Sequence, residues 1–187
     1  AVSSYNTMDS HSSSTINLEN VFVTEANLIV DEGEGFRHIE SCLPQILLCL
    51  SAEALGIMEV LNKLTVEYSK TRKQFGAPIG SFQALQHRMV DNFMAFEQSK
   101  SMVYRGICES TSFNKNDIDI NQFLKTAHAV KALIAKNSKQ IGDESIQIHG
   151  GIGMTDELNI GHFVKRLMMI NVLFGDGDFH RQCFSQN

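Results

Sequence analysis

The chain has 187 residues, of which 43% are hydrophobic and 20% are charged, a composition typical of a globular domain. Its length allows one well-formed core, or a small domain with an appendage. The formal net charge of −5 argues against non-specific nucleic-acid binding, which depends on basic surfaces.

The cysteines, at positions 42, 49, 108 and 183, include no Cys-x-x-Cys pair and no zinc-site spacing with histidine. We therefore expect reduced, mostly packed thiols in a cytoplasmic protein, and no metal site. No apolar run reaches about 18 residues without a polar break, so the sequence predicts no membrane span. The serine-rich residues 1–15 lack the apolar core of a signal peptide.

Residues 1–32 differ in pattern from the rest of the chain. Apolar and polar residues alternate over 15–23, which predicts a β-strand. Residues 27–30 are expected to form either a second short strand or an extended link. Gly33 and Gly35 then interrupt the chain before the first helical pattern.

Apolar residues then recur every three or four positions, the pattern of helices with one buried face. The helices are expected at about 36–70, 81–110, 117–148 and 157–172. Pro44 falls in the first turns of the first helix, where proline bends a helix axis. Three long helices and one shorter helix, joined by brief connections, predict an antiparallel bundle.

We therefore predict a mainly α fold, an antiparallel four-helix bundle with a short β segment at its N-terminus. Residues 33–187 would form the bundle domain. The strands in residues 1–32 are too few for a stable sheet, so they either pack on the bundle or belong to a larger sheet. Gly175 and Gly177 end the fourth helix, and a short tail is expected after them.

Two polar, glycine-containing turns between helices carry the most chemical information. The first, over residues 72–83, places a guanidinium, an aromatic ring and a carboxamide at Arg72, Phe75 and Gln83. The second, over residues 147–155, contains adjacent glycines. Arg72 alone is typical of an exposed cation at a helix end. In combination, these groups suit an anionic, planar, hydrogen-bonding ligand such as a dinucleotide.

The two turns read Arg-x-x-Phe-Gly-x-x-Ile-x-x-Phe-Gln and Gln-x-x-Gly-Gly-x-Gly-Met-Thr. Together with the entry segment Asn-Val-Phe-Val and the later Gly-Glu-Gly-Phe, they resemble the acyl-CoA dehydrogenases from about residue 15 to the end. The resemblance implies that residues 1–32 are a linker and the remnant of that family's middle β-domain. Residues 33–187 would be its C-terminal four-helix domain.

Members of the family bind FAD between subunits, so the resemblance implies an FAD site. It assigns to that site the residues Arg72, Phe75, Gln83, Gln147, Gly150 and Gly151. The first three would contact the pyrophosphate and the adenine side, and the last three, from a neighbouring subunit, would complete the adenosine end. His149, beside the paired glycines, is expected either to contact the cofactor or simply to pack.

The resemblance also implies a reaction, the α,β-dehydrogenation of an acyl-CoA thioester by a glutamate base and the flavin. The two positions at which the family carries that base correspond here to Phe174 and Ile46, and neither side chain accepts a proton. Asp176, Asp178 and Glu40 lie near these positions and are weak replacement candidates. The alternative for each is a solvated or helix-capping carboxylate.

Two hypotheses for function follow. In the first, the chain is the C-terminal part of an FAD-dependent acyl-CoA dehydrogenase subunit that lacks the usual glutamate and acts with a catalytic partner. The resemblance is strongest to the small subunits of bacterial paired acyl-CoA dehydrogenases, such as pimeloyl-CoA dehydrogenase. It implies an acyl-CoA substrate, a homo- or hetero-tetramer with another such subunit, and electron-transfer flavoprotein as acceptor. In the second, the chain is a non-catalytic helical oligomerisation or interaction module that has lost FAD binding.

Two metal-site interpretations are disfavoured. A di-iron centre in a helix bundle needs Glu-x-x-His pairs, and no histidine of the sequence has glutamate three positions before it. The run Gly-Asp-Gly-Asp, residues 175–178, lacks the further oxygen ligands of a calcium loop.

Overall fold

The computed structural model describes residues 1–115 and 117–186. Its helices are α1 (Gly35–Thr71), α2 (Gln83–Asn114), α3 (Ile120–His149), α4 (Ile160–Val172) and α5 (Gly177–Gln186). Helices α1 to α4 lie within a few residues of the predicted segments. The expected mainly α bundle with a short β segment at its N-terminus is confirmed.

Helix α3 is the central helix of the bundle and contacts each of the other four. Its inward face carries Phe123, Val130, Ile134 and Ile141, which are fully buried and recur at intervals of seven or four residues. Burying each such side chain stabilises the fold by about 1.5–3 kcal/mol. The helical period that predicted α3 is therefore the same feature that fixes its position in the core.

Helix α1 is long and apolar enough to cross a membrane, by length and composition, although the sequence predicted no span. Its apolar side chains have a clear role inside the bundle. Leu47, Ala54, Met58 and Leu61 are fully buried where α1 packs against α2, α3 and α4. Core packing accounts for the inward apolar face of this helix, while other apolar side chains, including Phe36 and Ile39, are exposed.

The strands lie earlier in the chain than the sequence predicted. β1 (Val2–Asn6) pairs antiparallel with β2 (Ser12–Ile16), with Val2 opposite Ile16. The strand expected at 15–23 is wrong beyond residue 16, and residues 27–30 form no strand. The apolar side chains of residues 17–23 are exposed. The described chain therefore has no surface on which a strand of these residues packs its apolar face.

The β1–β2 hairpin is attached to the bundle by one arginine of α4. Arg166 Nη1 lies 2.8 Å from Asp9 of the hairpin, and its Nε and Nη2 donate to the Glu53 carboxylate of α1 at 2.6 and 2.9 Å. Hydrogen bonds from the Thr7 hydroxyl and then from Arg166 hold the pKa of Asp9 well below its usual range. This charge-assisted network joins the hairpin to α1 and α4.

The short tail expected after α4 is wrong, because the chain turns and forms α5. Gly175 adopts φ +109°, which favours glycine, and Asp176 Oδ1 accepts a hydrogen bond from the Phe179 N–H at 2.8 Å. Gly177 begins α5, and a Cβ there would lie 2.9 Å from the Ala135 Cβ of α3. The sequence pattern treated this glycine as a helix breaker, whereas it permits close packing of α5 on α3.

Candidate functional site

The first turn is a two-residue hairpin between α1 and α2. β3 (Lys73–Gln74) pairs with β4 (Ala77–Pro78), and the reversal is made by Phe75 at φ +53° and Gly76 at φ +81°. Positive φ at both central positions is characteristic of the type I′ hairpin turn. The 3-10 turn Ile79–Ser81 then leads into α2.

This hairpin is held firmly against the end of α1. The Ile79 N–H donates to the Arg72 carbonyl at 2.8 Å. Gly80 lies so close to α1 that an added Cβ would stand 2.8 Å from the Ser69 Oγ and 3.0 Å from the Ser69 carbonyl oxygen. Close backbone packing therefore fixes the position of Arg72 and Phe75 relative to the bundle.

The second turn follows the C-terminus of α3. Gly150 adopts φ +66°, as is usual where glycine ends a helix. A Cβ added at Gly150 or Gly151 would meet no atom within 4 Å, whereas one at Gly153 would lie 3.0 Å from the His149 Cβ. The paired glycines therefore face open space, and the third glycine is required by packing.

The two turns meet within one chain and line a common cavity of about 350 Å³. Five of the predicted cofactor residues border it, namely Arg72, Phe75, Gln147, Gly150 and Gly151. Gln83 does not line it and is exposed as the first residue of α2. The sequence reasoning assigned the two turns to different subunits, whereas here residues of both turns border one cavity within a single chain.

The cavity has one uncompensated cation. Arg72 is exposed, and no carboxylate of residues 1–115 or 117–186 lies within ion-pair distance of its guanidinium. Arg88, on the same cavity, is neutralised because its Nε lies 2.5 Å from Glu144 Oε2. Phe75 is 93% exposed. Its ring lies edge-on to the Phe82 ring, with the two ring centroids 6.3 Å apart. A free guanidinium and a bare aromatic ring thus share one opening.

Some lining residues were not found from the sequence, chiefly Tyr68 and Arg88. The Tyr68 ring stacks on His149 with centroids 4.3 Å apart and 26° between planes. Tyr68 lies four residues before Arg72 and so on the same helical face, a signal that was not used. The His149 Nδ1–H donates to the Ser145 carbonyl at 2.7 Å. His149 is therefore a packed residue that also borders the cavity.

The backbone N–H of Gly150 is not available to a bound ligand. The Gly150 N–H donates to the carbonyls of Ile146 and Gln147, closing the end of α3. It is committed to the helix end and does not face a ligand. The contribution of Gly150 is its left-handed backbone and its missing side chain, which leave the cavity open.

The two positions that correspond to the family's base lie in different parts of the fold. Phe174, at φ +58°, is about half exposed in the α4–α5 turn, and Ile46 is half-buried in α1. Of the replacement candidates, Asp176 caps α5 through Phe179, and Asp178 pairs with Arg181 on the surface. Glu40 is exposed on α1. These carboxylates match the capping and solvated alternative given above.

A larger cavity of about 540 Å³ lies between α3, α4 and α5. Its lining includes Asp178 and Arg181, which pair with each other, and Lys139, which pairs with Asp143. Phe174 and Arg72 do not border it. Because its lining includes the carboxylates Asp176 and Asp178, whereas the described lining of the smaller cavity includes no carboxylate, the smaller cavity at the two turns is the better anion site.

Residues 33–187 match the family model of the acyl-CoA dehydrogenase C-terminal domain. A probable acyl-CoA dehydrogenase of Bacillus subtilis is 30% identical over 182 residues, covering 96% of this chain and 46% of the relative.

Solved structures agree with the sequence comparison. Butyryl-CoA dehydrogenase from Megasphaera elsdenii has a TM-score of 0.87 at 24% identity, covering 100% of this chain and 48% of that one. A structure described as PigA with FAD and proline has a TM-score of 0.84 at 25% identity, covering 99% and 48%. The chain thus spans less than half the length of the proteins it matches. It belongs to the acyl-CoA dehydrogenase family, and residues 33–187 are its C-terminal domain.

Proposed function

We propose that this chain is the C-terminal part of an FAD-dependent acyl-CoA dehydrogenase subunit, and that the cavity between its two turns binds the ADP portion of FAD. The proposal rests mainly on one observation, an unpaired Arg72 beside two glycines that face open space. It is supported by a similar solved chain that is described with FAD.

The lining residues fit the chemistry of a dinucleotide. Arg72 presents a fork of N–H donors suited to a diphosphate, and no carboxylate of the described chain competes for it. The exposed Phe75 ring offers a face for stacking on adenine. Gln147 provides both a donor and an acceptor for ribose or adenine, and Gly151 allows close approach. Gln83 lies outside this cavity, at the start of α2.

When bound, FAD supplies the hydride acceptor for α,β-dehydrogenation of an acyl-CoA. This chain would hold and orient the nucleotide end, but Phe174 and Ile46 cannot remove a substrate proton. We therefore assign proton abstraction to a different acyl-CoA dehydrogenase subunit in a hetero-tetramer, because a homo-tetramer would carry Phe174 and Ile46 in every subunit. Within this proposal, residues 1–32 complete a preceding β-domain, and electron-transfer flavoprotein takes up the electrons.

A second candidate is a non-catalytic interaction module. It is favoured by the apolar residues at both base positions and by exposed apolar side chains along α2, including Val90, Phe93 and Met94. Exposed apolar patches mark interaction sites. This alternative predicts that the chain oligomerises without binding flavin.

The two candidates are separated by equilibrium dialysis of the purified full chain with FAD, followed by flavin absorbance. We expect Arg72→Ala to weaken FAD binding roughly 10- to 100-fold, because a hydrogen bond to a charged group contributes about 1.5–3 kcal/mol. Arg105→Ala is the matched control, since Arg105 is exposed on α2 and pairs with Glu109 away from the cavity. Equal binding by the Arg72→Ala variant and the wild type would refute the assigned site.

A further inference from the structure

Three nitrogen bases lie buried together where α5 packs on α3. His128 and Lys131 belong to α3, His180 belongs to α5, and each is almost completely inaccessible to solvent. The Nδ1 atoms of the two histidines are 2.7 Å apart. At that distance one Nδ1 must donate and the other must accept, so the contact requires that one of these two nitrogens carry no proton.

Lys131 connects the same cluster to the turn that precedes α5. Its Nζ donates to the Gly175 carbonyl at 3.1 Å and more weakly to the Asn171 carbonyl at 3.4 Å. Gly175 and the preceding Phe174 both have positive φ. The buried lysine therefore holds the left-handed turn in place.

The cluster contains no carboxylate of its own. Asp176, in the turn, is the acid that acts electrostatically on Lys131, and its carboxylate is engaged in capping α5. The Phe179 ring covers both imidazoles edge-on. The other charged groups of α5 and the facing part of α3 lie at the periphery: Lys125 over the Phe184 ring, Asp178 paired with Arg181, and Lys136 and Lys139 at the cavity between α3 and α5.

Burial accordingly disfavours the charged form of each base. It lowers the pKa of Lys131 to about 8 and lowers the pKa of His128 below its ordinary value. The pKa of His180 falls to about 4, because of burial and then the positive charges of Lys131 and His128. Around neutral pH, Lys131 is charged and the histidine pair is neutral.

We propose that the His128–His180 pair makes the docking of α5 and its preceding turn on α3 sensitive to acid. Protonation of the acceptor Nδ1 places two N–H groups against each other and adds a second cation beside Lys131, in an interface with a single nearby carboxylate. Undocking α5 exposes both imidazoles to water, so acid favours the undocked state. The bundle of α1 to α4 has its own core and stays folded, while the turn carrying Phe174 is released.

The test uses a tryptophan reporter, because the sequence contains no tryptophan. Phe184→Trp places the reporter on α5, beneath the Lys125 ammonium. We expect its emission to shift to longer wavelength as pH falls from 7.5 to 4.5, while circular dichroism retains the signal of α1 to α4. The undocking equilibrium should increase by up to about 80-fold between pH 6.5 and pH 4.

In the Phe184→Trp background, His180→Gln should abolish most of this pH dependence, whatever its effect on docking at pH 7.5. His128→Gln should reduce it, because it removes one titrating partner and retains a hydrogen-bonding group. His162→Gln is the matched control, since His162 is partly exposed on α4, and it should leave the transition unchanged.

The inference is overturned if the emission changes only together with global unfolding. It is also overturned if both cluster variants keep the wild-type pH dependence. Neither outcome depends on FAD binding, so this test and that of the proposed function fail independently.

Discussion

Adding one methyl group at each of two neighbouring glycines should separate ligand binding from stability. At Gly151 the methyl would enter open space in the cavity, with no atom within 4 Å. At Gly153 it would lie 3.0 Å from the His149 Cβ and 3.2 Å from the Ile146 carbonyl oxygen. The same added methyl group therefore occupies the cavity at position 151 and crowds neighbouring protein atoms at position 153.

The structure sets the expected magnitudes. Gly151→Ala should leave the free energy of unfolding unchanged or raise it by about 0.4–1 kcal/mol, because alanine restricts the unfolded chain. Gly153→Ala should lower it by about 1–3 kcal/mol through overpacking against backbone. If FAD approaches the paired glycines closely, Gly151→Ala should weaken its binding at least about tenfold, equivalent to about 1.4 kcal/mol.

The assays are urea unfolding followed by circular dichroism and equilibrium dialysis with FAD. Gly151→Ala should show a wild-type or higher unfolding midpoint together with a larger dissociation constant, and Gly153→Ala should show a lower midpoint. Wild-type FAD affinity in a stable Gly151→Ala variant would refute the assignment of the paired glycines to the nucleotide. Wild-type stability in Gly153→Ala would refute the packing argument.

Other consequences of the structure are testable in the same way. Asn137→Leu should lower the free energy of unfolding by about 1–3 kcal/mol in urea, because the buried Asn137 amide donates to a backbone carbonyl and a serine hydroxyl of α2, each at 3.0 Å; wild-type stability would contradict this. Arg166→Met should detach the β1–β2 hairpin, since the buried Asp9 carboxylate loses its ion pair, and limited proteolysis should then cut residues 1–16 faster than in wild type; an unchanged rate would contradict this. Because the pKa of His180 is about 4 rather than 6.5, the unfolded chain binds a proton in that window that the folded chain does not. The free energy of unfolding should therefore fall by up to about 3 kcal/mol as pH drops from 6.5 to 4, and urea titrations that show no such fall would contradict it.

The helices were predictable because the spacing of their apolar residues along the sequence places those residues on the one face that each helix buries. Phe123, Val130 and Ile134 repeat on one face of α3 and all enter the core. The strand expected at 15–23 failed because the described chain provides no surface for those apolar residues to cover. Helix α5 was missed because Gly177 was treated as a break, whereas its meaning depends on Ala135, a contact between residues far apart in sequence.

The site was predictable where a single turn contains the chemistry and unpredictable where distant segments meet. Arg72 and Phe75 could be singled out because their types and spacing already suit a diphosphate and an aromatic base. The stack of Tyr68 on His149 joins residues 81 positions apart, and local pattern does not reveal such contacts. Gln83 has a suitable side chain but is exposed at the start of α2 and does not line the cavity.

The central claim is that the cavity between the two turns receives the ADP portion of FAD. Its most direct test is an NMR titration of the isotopically labelled full chain with ADP, with adenosine as the control that lacks phosphates. We predict amide shift changes concentrated at residues 72–76 and 147–151, with tighter binding of ADP than of adenosine. Shift changes confined to another surface, or equal binding of the two compounds, would contradict the claim.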